Sequence, residues 1–230
     1  SPHCRTDSTV KAPQPNVILF TWHDAGDWFG CYGHRTVNTP GTDRLAAEGA
    51  VFRRHYSACA ICSPSRAAMM TGRTCQANGV MALTNTVYDN RILPGHKHLS
   101  LRFKEAGYRT ALAGVQHECA HEHLSEIIAP DDGFLTDPWP SADRLQGALR
   151  AWIGERAGER AQTPFFLQVG TFEAHLGRFF QSRPPDPGEQ YPPAQDVSRG
   201  LAMPDYLGGS EADRACVATL QGLLRRGDAL

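Results

Sequence analysis

Apolar and polar positions along the chain fall into two periods, one of strands and one of helices, and they alternate. After Pro15 the run NVILF (16–20) is continuous and apolar, the length expected of a strand buried on both faces. It ends at Thr21, Trp22, His23 and Asp24, and a glycine-rich loop, AGDWFGCYG (25–33), follows. In TPGTDRLAAEG (39–49), Thr39 can cap a helix, Pro40 can open it and Gly49 can stop it. AVFRRHY (50–56) predicts a second strand. In AICSPSRAAMMTG (60–72), Ser63 predicts an N-cap and Pro64 the first residue of a short helix closed by Gly72. HLSLRFKEAG (98–107) reads as an amphipathic helix ending at Gly107, and YRTALAG (108–114) as the strand it leads into. ADRLQGALRAWIGERAGER (142–160) is the longest helical pattern, and TPFFLQVG (163–170) is a third strong strand, rich in aromatic and apolar residues. From Gln181 to Pro204 the chain turns proline-rich and polar, which predicts a long surface excursion, and EADRACVATLQGLLRRG (211–227) predicts a closing helix.

This alternation predicts an α/β fold, a largely parallel or mixed sheet sandwiched by helices. Residues 1–14 read as a tail and 15–230 as one body, with 181–205 as the excursion. In such sheets the functional groups gather beyond the C-terminal ends of the strands. Here the first strand delivers His23 and Asp24, the strand ending at Gly114 delivers Gln116 and His117, and the one ending at Gly170 delivers Glu173 and His175. Three separate strand ends carrying titratable side chains point to a site.

Composition narrows the ligand more than the fold. The 23 basic and 24 acidic residues nearly cancel, and no block of like charge stands out, so neither a nucleic-acid footprint nor a membrane-surface patch is indicated. A small or locally charged substrate fits better. No apolar run is long enough to span a bilayer, and the first residues, SPHCRTDSTVKAPQ, lack the apolar core of a secretory signal. The expectation is a soluble chain whose compartment is left open. Seven cysteines in 230 residues do not read as a disulfide framework.

Four readings compete for the chemistry-bearing residues. Cys59 and Cys62 form a CxxC pair opening a helix, as in a thiol redox site, but Pro64 lies after the pair and the chain is far longer than that small fold needs. HECAH (117–121) matches HExxH, in which two His on one helical face bind zinc beside a Glu base; yet it begins just beyond a predicted strand, and Leu124 stands where the extended motif has Gly. Cys62 could be a thiolate nucleophile paired with His117 or His175, since a helix N-terminus lowers a thiol pKa. That reading explains neither Asp24 nor Arg66. Arg66 falls in the first helical turn, where a cation opposes the macrodipole unless something negative is bound nearby, and this favours a site for an anion.

CSPSR followed by an apolar pair and TG resembles the signature around the catalytic cysteine of the sulfatase family, and CSPSRAAMMTG fits it without a mismatch. PNVILF before the acidic position, CYG, TPGTDRLAAEGAVF, TGR and AGYRTALAG ahead of a His resemble the family's N-terminal half over residues 15–180. NGVMALTN, GVQHE and PFFLQVGTFEAH look most like the branch around heparan N-sulfatase (N-sulfoglucosamine sulfohydrolase) and its bacterial relatives. The resemblance implies an alkaline-phosphatase-like fold. It also implies that a formylglycine-generating enzyme oxidises Cys62 to formylglycine, whose hydrated aldehyde attacks sulfur, forms a covalent sulfate ester and then expels sulfate. A divalent cation would activate the hydrate, and a hard ion such as Ca2+, or Mg2+ or Mn2+, suits carboxylate ligands. By carry-over, His23, Asp24 and Cys62 would face the metal, Arg66 would fix the formylglycine, His117 would serve the hydrate, and His175 would contact sulfate or protonate the leaving group.

Departures from the pattern are informative. Many members of the family have two adjacent Asp where this chain has His23 and Asp24, and Val115 stands where a lysine is usual. Only His175 remains of a common His-x-Pro-His pattern, and the family's later metal pair, second lysine and smaller C-terminal domain would come beyond Leu230. The expected activity is therefore a sulfuric ester (or N-sulfo) hydrolase acting on a sulfated sugar or glycosaminoglycan fragment, with poor turnover by the 230-residue chain alone. Its rivals are a phosphonate or phosphate monoester hydrolase of the same superfamily and a non-catalytic sulfatase-like domain that only binds anionic sugars.

Overall fold

The computed structural model describes residues 14–34, 37–84, 90–138, 140, 142–158 and 163–172. Three parallel strands form its centre: β1 (Val17–Thr21), β2 (Arg109–Gly114) and β3 (Phe165–Gly170), in the order β1-β3-β2. Thr21 pairs with Gly170, and Gly170 with Gly114, so the three strands finish level and their continuations emerge along one edge. β3 is central because it can be: FFLQVG is buried from Phe166 onward, with Phe166 and Leu167 fully enclosed.

The helices are α1 (Pro40–Glu48), α2 (Cys62–Thr71), α3 (Cys75–Asn78), α4 (Leu99–Glu105), α5 (Leu124–Ile127) and α6 (Ala142–Gly158), with single 3-10 turns at Gly30–Tyr32 and His121–His123. Alternation along the strands sends Ala111, Ala113, Leu167 and Val169 to one face, where Leu145 and Trp152 of α6 complete a core. Leu145, Leu149 and Trp152 recur at helical spacing, which is why α6 presents one apolar stripe to the sheet. Phe166 points the other way and stacks on Phe103 of α4 at 4.4 Å between centroids, while Leu112 packs with Cys119, Leu124 and Ile128. Both faces of β2 and β3 are thus covered, as the continuous apolar runs require.

Two expectations change. β1 is half open among the described residues: Ile18 is 52% exposed and Phe20 36%, both on one face, and no described helix packs on that strand as α4 and α6 pack on β2 and β3. AVFRRHY is not a strand. Phe52 and Tyr56 are 71% and 82% exposed, and no strand edge among the described residues pairs with that segment, so its β-forming residues have no ladder to join. α6 is described from Ala142 to Gly158, the last two positions of the expected helix lying outside the described residues, and α4 takes its cap from a residue whose role the pattern did not announce: His98 Nδ1 accepts a hydrogen bond from the Ser100 N–H at 3.2 Å. Residues 1–13, the excursion at 181–205 and the expected closing helix lie outside the described residues. No helix among the described residues is long and apolar enough to cross a membrane.

Candidate functional site

The level strand ends and the start of α2 meet at one place. α2 begins at Cys62, not after Ser63: the Ser65 N–H donates to the Ile61 carbonyl at 3.1 Å, and Ile61 is extended with no side-chain cap. Pro64 tolerates this because the first helical N–H groups have no partner within the helix, so the one it lacks is not missed. Ser63, expected to cap, is buried and its Oγ accepts from the Thr84 N–H at 3.3 Å. Cys62 therefore stands on the first turn itself.

Arg66, one turn further, is only 6% exposed. Its Nη1 donates to Thr21 Oγ1 at 3.0 Å and to the Val115 carbonyl at 3.2 Å, and Thr21 Oγ1 donates in turn to the Val169 carbonyl at 3.0 Å. One guanidinium thus ties the last residue of β1, the end of β3 and the residue after β2. The approach is so close that only glycine fits: a Cβ on Gly170 would lie 1.8 Å from the Val115 oxygen, and one on Gly114 2.1 Å from the Gly170 oxygen. These neutral oxygens hold the Arg66 charge at the sheet edge. That is where a cation opposing the helix dipole becomes useful to a bound anion.

His23, Cys62 and His117 converge, each offering a ligand atom within 4.8 Å of the others. His23 is buried and its Nδ1 lies 3.0 Å from Asp24 Oδ1. Asp24 and His117 both adopt left-handed backbone, with φ of 55° and 58°, a conformation that is strained for such residues and that collects at functional sites. For His117 the turn is built by its neighbour: Gln116 Oε1 accepts from the N–H groups of Glu118 at 2.7 Å and Cys119 at 3.2 Å, while Gln116 Nε2 donates to the Cys119 carbonyl at 2.9 Å. Behind it, Gln168 Nε2 donates to Glu118 Oε1 at 2.9 Å. Burial pushes the Glu118 carboxyl up to about 8, against the opposing influence of Arg66, its own backbone N–H and Gln168.

Each of the competing readings meets this geometry. Burial and the nearby Asp24 push the Cys62 thiol up, against the Ser63 N–H and Arg66, so Cys62 is not a preactivated thiolate. Cys59 interacts with Cys75, and both Cys59 and Cys62 are free cysteines. Residues 117–120 are not helical, so the HExxH spacing does not place two His on one helical face. Ca2+, the ion that the resemblance implies, takes about six to eight oxygen ligands; among the described residues the cluster offers two imidazoles and the unconverted Cys62 sulfur, with the half-exposed carboxylate of Asp24 beside it. His175 lies outside the described residues. Sequence reasoning missed the buried partnership of Gln168 and Glu118; the available signal was a glutamine in the middle of an otherwise apolar strand, FFLQVG.

The Sulfatase family profile matches residues 15–218. The chain belongs to the sulfatase family. This sulfatase chain is 36% identical over 197 residues to the ulvan-active sulfatase of Formosa agariphila, an alignment covering 83% of the chain and 34% of that relative. It is 41% identical over 117 residues to the N-acetylgalactosamine-6-sulfatase of Canis lupus familiaris, covering 46% of the chain and 22% of that protein. The chain thus spans about a third or less of the length of these relatives. The phosphonate monoester hydrolase of Agrobacterium radiobacter shares the fold, with a TM-score of 0.57 and 20% identity over 94% of this chain and 57% of that one. An α/β fold of the sulfatase type, with a parallel sheet between helices, follows from sequence and structure together.

Proposed function

We propose that this sulfatase-family chain carries the nucleophile site of a hydrolase that cleaves a sulfuric ester or N-sulfo group on a sulfated sugar, with Cys62 as the precursor of formylglycine. The observation that carries the reading is the placement of Cys62 on the first turn of α2, facing His23 and His117, with Arg66 anchored one turn behind. Formylglycine would supply a hydrated aldehyde, a nucleophile whose hydroxyl can be deprotonated by a neighbouring base and which can later release its adduct.

The remaining roles belong to the chain's own groups. The N-terminus of α2 and the Arg66 guanidinium favour the negative charge of a bound sulfo group, because unpaired helical N–H groups and a fixed cation lie on the same side of it. Gln116 and the Glu118–Gln168 pair hold the turn that aims His117 at residue 62, so His117 can give or take the proton of a hydroxyl formed there. Asp24, beside His23 Nδ1, orients that imidazole. His175 is assigned the sulfo group or the leaving oxygen. Overall, water and the ester yield the free alcohol, sulfate and a proton.

The experiment compares kcat/KM for an aryl sulfate and an aryl phosphonate, using full-length protein co-produced with a formylglycine-generating enzyme. The proposed function predicts a clear preference for the sulfate, lost in Cys62→Ala. Preference for the phosphonate would replace it with the phosphonate hydrolase reading, and binding of sulfated sugar without turnover of either ester would replace it with a non-catalytic domain.

A further inference from the structure

The donor atoms at the site suit a different ion from the one the family resemblance implies. We propose that, while Cys62 is still a thiol, His23, Cys62 and His117 form a three-ligand site for a borderline divalent ion of the zinc class, which shields the sulfur until the ion leaves. These three residues supply two imidazole nitrogens and one sulfur from three separate segments, the ends of β1 and β2 and the start of α2. Zinc takes both imidazole nitrogen and thiolate sulfur and is often held by three protein ligands with the fourth position open, with bonds of about 2.0–2.3 Å that put neighbouring ligand atoms roughly 3.5 Å apart. The ligand atoms already lie within 4.8 Å of one another, close to that separation.

The surroundings match as well. Zinc-bound histidines commonly hold a carboxylate on their second ring nitrogen, and a carboxylate is at hand here, with Asp24 Oδ1 3.0 Å from His23 Nδ1. His23 is 2% exposed, so it is fixed by packing, and the left-handed turn at His117 is locked by the three hydrogen bonds of Gln116. Hard ions are disfavoured by the same donors, since calcium and magnesium select oxygen. Binding forms one metal–sulfur bond and releases the Cys62 proton to the buffer, with no change of oxidation state. Because that sulfur is the atom removed when Cys62 becomes formylglycine, occupancy and conversion exclude each other.

This site shares residues with the proposed hydrolase but needs Cys62 unconverted, so the two can fail separately. The test uses the full chain made without a formylglycine-generating enzyme, with the Cys62 thiol confirmed by the mass of the tryptic peptide from His55 to Arg66. Titration with Co2+ alone, as the spectroscopic probe, should reach one equivalent and give a sulfur-to-cobalt charge-transfer band that Zn2+ displaces and a large excess of Ca2+ leaves in place. Cys62→Ser should abolish the band, and His23→Ala or His117→Ala should weaken Co2+ binding by roughly tenfold or more. His123→Ala, outside the cluster, should change nothing. The competition between Zn2+ and Ca2+ needs no variant and so stands even if a substituted chain fails to fold. A folded chain that gives no band at one equivalent, a band that survives Cys62→Ser, or displacement of Co2+ by Ca2+ would overturn the assignment. Turnover of aryl sulfate by the converted protein would be untouched by any of these results.

Discussion

The two ends of the same sheet handle charge in opposite ways. At the N-terminal end of β2, ions meet ions: Asp132 takes Arg109 on one oxygen and both Arg156, at 2.8 Å, and the Trp152 indole, at 3.0 Å, on the other. Next to it, Asp131 binds Lys104 at 2.6 Å and the Thr110 N–H at 3.1 Å. At the C-terminal end, the Arg66 guanidinium bonds to a hydroxyl and a carbonyl, Glu118 is buried against Gln168, and Asp24 and His117 sit in strained backbone. One end neutralises its charges within the fold. The other holds a cation on neutral oxygens beside a thiol and two imidazoles, an arrangement that favours an incoming anion over internal pairing.

The difference can be broken from either side. The largest expected effect is Cys62→Ala in the converted full-length protein: aryl sulfate kcat/KM should fall roughly 10³-fold or more, as when an activated nucleophile is removed, while the melting temperature stays close to that of the parent. At the opposite end, Asp132→Ala removes a buried carboxylate from the largely buried Arg156 guanidinium and the Trp152 indole and should cost about 3–5 kcal/mol in urea denaturation, with kcat per folded molecule unchanged. If Asp132→Ala instead abolished turnover in folded protein, the division between the two ends would be lost.

A smaller effect concerns His98, which burial holds at about 4 against an ordinary 6.5. Its folded pKa is depressed, so the unfolded chain binds more protons between those values; the stability contribution is complete above pH 6.5, declines as pH falls towards 4, and levels off below that. The total change should be on the order of 3 kcal/mol. His98→Asn keeps a good N-cap and should flatten this dependence in denaturation curves run across the range. Smallest is Lys97→Ala, which removes an exposed ion pair with Glu105 and should shift stability by less than about 1 kcal/mol. A larger loss would mean that surface pairs matter here more than the two-ended picture allows.

Much of this organisation was legible from the chain itself. β2 and β3 were visible because strands covered on both faces need unbroken apolar runs, and α1 was bounded by Thr39, Pro40 and Gly49. The approach of His23 and His117 was foreshadowed by the strand-end rule, which depends only on parallel order and direction, whereas Cys62 joins them from the start of α2. AVFRRHY misled because β propensity describes fitness for a pleated surface and cannot say whether a neighbouring edge exists. The partners of Arg66 were illegible for a related reason: its two oxygens lie 45 and 49 residues away, brought together only by the sheet. The turn at Gln116 depends on one side chain folding back on its own backbone, which spacing does not encode.

The proposed nucleophile can be weighed directly. Protein from its native cells, digested with trypsin, should release the peptide from His55 to Arg66, which contains both Cys59 and Cys62. Tandem mass spectrometry should find Cys59 as cysteine and residue 62 as formylglycine, the aldehyde also being captured by a hydrazide reagent. A free thiol at Cys62 in every preparation would contradict the reading of this site as a sulfatase nucleophile.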